Sequence, residues 1–96
     1  MTKAPGVDTS RLRWEIRQAM WAMDYVYNHY GEELLITCTF GGEHMVGSLH
    51  PKNRAIDCLL PNSYINSIVD DLREFIGPDF DVVVEADHIH IEHDPK

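Results

Sequence analysis

Cysteine is scarce in this chain, with Cys38 and Cys58 the only two. Two are too few for a disulfide framework, and their spacing fits no zinc-knuckle pattern. Both are read as buried free thiols, which points to synthesis in a reducing compartment. No run of about 18 apolar residues occurs, so no transmembrane helix is expected. Basic residues are also few: Lys and Arg total 8 against 16 Asp and Glu, for a net charge of −8. Nonspecific binding to nucleic acid or an anionic membrane rests on Lys and Arg neutralising phosphates, so neither is an expected partner. Residues Met1 to Ser10 hold one Lys and no apolar stretch, unlike a secretory signal. Action outside the cytoplasm would then need another component to carry or release the protein. With 6 Gly and 5 Pro, the chain has no collagen-like or low-complexity character.

What remains is an ordinary globular composition, 44% hydrophobic and 25% charged. At about 150 residues per domain, 96 residues make a single domain, and a monomer is the favoured state. Such a short chain builds a modest core, and a bound metal is one source of added stability. The six histidines make a metal worth seeking.

Residues 1–9 are polar, contain Pro5 and Gly6, and read as a flexible arm. The domain itself is expected over 10–96. Asp8, Thr9 and Ser10 are N-cap candidates. Leu12, Ile16, Ala19, Met20, Met23, Val26, Tyr27 and Tyr30 then recur in steps that predict an amphipathic helix to about His29, stopped by Gly31. Trp14 and Trp21 lie on one flank and read as packing residues. Residues 33–40 and 55–60 read as strands, with an irregular loop over 43–54. Asn62 or Ser63 can cap a second helix whose apolar face is Ile65, Ile68, Val69, Leu72, Phe75 and Ile76, ended by Gly77-Pro78. Residues 80–85 and 88–92 read as two more strands joined tightly at Ala86-Asp87. This order predicts an α+β domain, a small antiparallel sheet with two helices packed against it.

Histidine placement carries the chemistry. His44 and His50 fall in the central loop, and His88, His90 and His93 near the C-terminus. On a strand, alternate residues share a face. His88, His90 and Glu92 therefore point one way while Ile89 and Ile91 point to the core. Two imidazoles on an open strand face suit a metal-facing pair, or simply a solvated polar face. His50 and Asp57 are seven apart, and a hairpin-like return can bring them to one point. Two imidazoles and one carboxylate would leave a fourth tetrahedral position open, as in catalytic zinc sites. Nitrogen and oxygen donors without thiolate suit zinc better than magnesium or calcium.

Ser48-x-His50-x-x-Asn53-x-Ala55-x-Asp57, followed later by Asp87-His88-Ile89-His90, resembles the zinc D-alanyl-D-alanine peptidase family. That family includes phage-type L-alanyl-D-glutamate endolysins and shares its fold with the Hedgehog signalling domain. Its pattern is S-x-H-x-x-G-x-A-x-D, then (D/E)-x-x-H or H-x-H. The resemblance covers roughly residues 10–93. It departs at Asn53, where the family has Gly; Asn is the residue that best tolerates the positive φ a Gly would supply. Cys58-Leu59-Leu60 is also more apolar than expected after the Asp, with Cys58 expected to face the core.

The resemblance implies His50, Asp57 and His90 as ligands of Zn2+, Asp87 as general base, and His88 as the residue polarising the substrate carbonyl or stabilising the oxyanion. Strict alternation would set Asp87 on the opposite face from His90, so a turn at Ala86-Asp87 is needed. Glu85 is the reserve base, favoured if His88 rather than His90 holds the metal. His44 and Ser48 are pocket residues by the same resemblance. Arg54 can bind a substrate carboxylate through its planar guanidinium, or remain a loop charge, and Arg11, Arg13 and Arg17 are expected to face solvent. The implied activity is zinc-dependent hydrolysis of a D-amino-acid-containing bond in a peptidoglycan stem peptide. A non-catalytic zinc-stabilised interaction domain of Hedgehog-like fold is the alternative.

Overall fold

The computed structural model describes residues 1–39 and 54–95. Among the described residues seven elements follow in order: β1 (Thr2–Lys3), α1 (Trp14–His29), β2 (Leu35–Cys38), β3 (Ala55–Leu59), α2 (Ile65–Ile76), β4 (Phe80–Val84) and β5 (His88–His93). The strands form one five-stranded sheet in the order β1-β2-β3-β5-β4. Every pairing is antiparallel except β1 with β2, which is parallel. The domain is thus α+β, as expected, but its sheet is mixed rather than wholly antiparallel.

The difference comes from the N-terminal arm. Thr2 N–H donates to the Leu34 carbonyl at 2.8 Å and Ala4 N–H to Ile36 at 2.9 Å. The Met1 amino group pairs with Asp24 at 3.2 Å and Glu33 at 3.5 Å. The start of the arm is therefore tied to the edge of β2. Two residues carry no hydrophobic period, so nothing local announces such a strand.

Helix α1 begins at Trp14 with Arg13 as N-cap and no side-chain cap, later than the three cap candidates. Asp8 instead closes a turn, accepting from Ser10 N–H at 2.8 Å. Arg17 is not free in solvent: its guanidinium donates to the Leu12 carbonyl at 2.9 Å and to Ser10 at 2.6 Å, bracing the approach to the helix. Gly31, at φ +74°, reverses the chain after the helix, a conformation that costs glycine little. Neither Asn62 nor Ser63 caps α2; Tyr64 occupies that position at φ 61°, with its ring against Tyr30. Trp14 and Trp21 contact each other edge to face, 5.5 Å between centroids, but both are exposed rather than core residues.

One layer of helices covers one face of the sheet. Helix α1 lies across β3 and β5, and α2 lies against β4 and α1. The core between them contains Ile16, Met23 and Tyr27 from α1, Ile68 and Leu72 from α2, and Ile56, Cys58, Ile89 and Ile91 from the strands. The Tyr27 hydroxyl donates to the Leu59 carbonyl at 3.0 Å and lies 3.4 Å from Cys58 Sγ. Both cysteines are free; Cys58 is buried but Cys38 only half-buried, because Cys38 sits on the other face of the sheet, paired with Asp57. Among the described residues, no helix is long and apolar enough to cross a membrane.

Candidate metal centre

The face of the sheet turned away from α1 and α2 carries the polar residues. Pairing between β3 and β5 sets Asp57 opposite His90, Leu59 opposite His88 and Ala55 opposite Glu92. Pairing between β4 and β5 sets Val83 opposite His90 and Asp81 opposite Glu92. Two-residue alternation therefore collects Asp57, His88, His90 and Glu92 on one surface. Their neighbours Ile56, Cys58, Ile89 and Ile91 supply the core.

At the centre, His90 Nδ1 lies 2.6 Å from Asp57 Oδ1. The other ring nitrogen, Nε2, lies 2.6 Å from Glu92 Oε1. His90, Asp57 and Glu92 keep only 17%, 18% and 20% of their side-chain surface exposed. The Asp57 hydrogen bond raises the His90 pKa above its ordinary value; burial opposes the rise and Glu92 adds to it.

His88 stands beside this pair. Its Nε2 is 3.9 Å from Asp57 Oδ2, and its Nδ1 is 2.6 Å from Asp87 Oδ1. Asp87 belongs to the tight connection expected at Ala86-Asp87: Glu85 N–H donates to the His88 carbonyl at 2.8 Å across it. This turn swings the Asp87 carboxylate to His88, although strand alternation alone would send it to the other face. Asp87 is widely exposed, at 86%. Glu85, directly across the hairpin from His88, continues the alternation of Val83 and so shares the face of the histidines.

The flanks are apolar. Leu59 and Val83, register partners of His88 and His90, are exposed. Of the apolar run after Asp57, Cys58 enters the core, Leu59 borders this face, and Leu60 packs against the core edge. Burial raises the Cys38 thiol pKa, and Asp57 nearby raises it further. A cleft of about 790 Å³ opens along β4, with Arg73, Pro78, Phe80 and Val83 on its walls; His90 and Glu92 reach it, while Asp57 and His88 do not. Arg54, at the entry to β3, has its Nε buried without a hydrogen-bond partner.

Of the expected ligands, Asp57 and His90 meet. His50 lies outside the described residues, as do His44, Ser48 and Asn53. Among the described residues, no three His, Cys, Asp or Glu side chains form a group able to hold a metal ion. Asp57 and His90 are of donor types that zinc accepts, a carboxylate oxygen and an imidazole nitrogen in a partly buried setting. The contact of Glu92 with His90 was not foreseen in the sequence, although alternation already put both on one face. No family model matches the chain, and comparison with curated proteins finds no relative.

Proposed function

We propose that this chain is a zinc-dependent metallopeptidase that hydrolyses a D-amino-acid-containing peptide bond of bacterial peptidoglycan. The observation that carries the reading is the contact of Asp57 with His90 across β3 and β5, with the Asp87–His88 pair beside it. The motif names residues that stand together on this face, Asp57 with His90 and Asp87 with His88. The finer fold assignment, to the Hedgehog/DD-peptidase group, belongs to this proposal and rests on the motif order.

Asp57 and His90 would hold the metal from the sheet, with His50 as the third ligand. Bound zinc supplies a Lewis acid that makes water a nucleophile near neutral pH and polarises the scissile carbonyl. The residues of the chain do the rest. Asp87, 2.6 Å from His88 Nδ1, would accept the proton of the attacking water and pass it to the leaving amine. His88 would polarise the substrate carbonyl or stabilise negative charge on its oxygen. Glu85 is the alternative base on the same face.

Arg54 would bind a substrate carboxylate. Its buried, unpartnered Nε is a donor for which a carboxylate would be a matching acceptor. His44 and Ser48 remain substrate-pocket residues on the strength of the motif. The cleft along β4 has the volume of a ligand site, and the exposed Leu59 and Val83 give a stem peptide an apolar border.

Purified protein incubated with muropeptides and zinc, with and without chelator, tests the proposal by mass spectrometry of the products. Cleavage of one peptide bond, abolished by chelator, is expected. Cleavage that survives chelation contradicts the role of the metal. Stoichiometric zinc without cleavage would favour the interaction-domain alternative.

A further inference from the structure

We propose that Glu92 is the positioning residue of this centre: its carboxylate holds His90 so that Nδ1 is the nitrogen presented beside Asp57. The inference rests on the reading that Asp57 and His90 bind the metal, and it adds which ring nitrogen does so and what fixes it.

An imidazole offers two donor nitrogens on opposite edges. Rotation about the Cβ–Cγ bond exchanges the edge that faces a given neighbour. In this protein the two edges meet different elements. Nδ1 faces Asp57 on β3, and Nε2 faces Glu92 on β5, each at 2.6 Å. Glu92 lies two residues beyond His90, on the same side of the same strand, so its reach is set by the strand repeat itself. All three side chains are partly buried, which limits competition from water.

A cation shared by Asp57 and His90 must sit on the Nδ1 edge. Nε2 then carries the ring proton, and the ionised carboxylate of Glu92 is its acceptor. That bond fixes both the tautomer and the plane of the ring and increases its basicity toward the metal. Outer partners of ligating histidines work this way, and their loss costs about 10- to 100-fold in metal affinity or activity. Glu92 needs no contact with substrate or metal to have this effect.

The test is a zinc competition titration against a chromophoric chelator for the unsubstituted protein, Glu92→Gln, Glu92→Ala and Asp57→Ala. Circular dichroism checks that each is folded. Nitrogen-15 NMR of labelled histidine rings in the zinc-loaded protein supplies the second readout. Glu92→Ala is expected to keep one zinc per chain but bind it about 10- to 100-fold more weakly. Glu92→Gln, which keeps an acceptor oxygen, should recover part of that loss. The His90 ring should show Nδ1 on the metal and a protonated Nε2. Unchanged affinity in Glu92→Ala overturns the proposal, as does Nε2 on the metal. Complete loss of stoichiometric zinc in a folded Glu92→Ala protein also overturns it, because Glu92 would then be a ligand. Failure of the underlying reading is distinct: the unsubstituted protein would bind no zinc, or Asp57→Ala would bind it undiminished.

Discussion

The two faces of the sheet are built from the same strands and do opposite work. On the helix side, Ile56, Cys58, Ile89 and Ile91 have no exposed surface and close the core against α1 and α2. On the other side, their immediate neighbours Asp57, His88, His90 and Glu92 form a connected set of hydrogen bonds and charges. One step along the chain changes a residue from a source of stability to a candidate source of chemistry. The apolar face removes hydrocarbon from water and is non-directional. The polar face is directional and sets the carboxylates of Asp57 and Glu92 on either side of the His90 ring, with His88 beside Asp57.

That contrast can be broken by substitution. The largest expected effect is on the polar face: Asp57→Ala or His90→Ala should abolish stoichiometric zinc and hydrolysis while leaving the circular dichroism spectrum of the metal-free protein intact. His50→Ala should do the same by the motif reading. Full zinc content in any of them, measured by elemental analysis, would remove that residue from the ligand set. Next, Asp87→Ala should retain zinc but lower the hydrolysis rate by about 10²- to 10⁴-fold, the usual contribution of a positioned acid–base group. Undiminished turnover would transfer the role to Glu85.

On the apolar face, Ile56→Ala should cost about 2–5 kcal/mol through lost transfer energy and a residual cavity. In a domain of this size each kcal/mol lowers the melting temperature by about 4–8 °C. A shift of that size with unchanged zinc affinity in the folded protein would confirm that the faces are separable.

The smallest effect expected is alkaline. Burial pushes the Cys58 thiol up from 9.0 to about 11. The folded-state pKa is raised, so the folded state holds this proton more tightly than the unfolded chain. The corresponding stability is complete below pH 9 and is lost as pH rises from 9 through about 11. Denaturant titrations across that window should show the decline, and Cys58→Ala should remove the part due to this thiol. An identical decline in the variant would assign it elsewhere.

Much of this division could be read from the chain. Alternation in His88-Ile89-His90-Ile91-Glu92 assigned each residue to its face, because a strand repeats every two residues whatever it pairs with. The same reasoning placed Cys58 in the core and located the hairpin at Ala86-Asp87. The features that escaped depend on partners distant in sequence. Thr2–Lys3 joins β2 through backbone hydrogen bonds that no side-chain pattern encodes. Arg17 folds back on the carbonyls of Ser10 and Leu12, though its type and position suggested solvent. Trp14 and Trp21 meet edge to face outside the core, a choice that heptad spacing alone cannot make. At the site, the motif named Asp57 and His90, but only the register of β3 with β5 shows that they are opposite one another. The bond between Glu92 and His90 needed side-chain geometry, not pattern.

The most direct measurement is anomalous diffraction at the zinc edge from crystals of the zinc-loaded protein. One site is expected, about 2 Å from both His90 Nδ1 and an Asp57 carboxylate oxygen. A zinc site remote from this pair, or bound through His88 and Glu85 without Asp57, would contradict it.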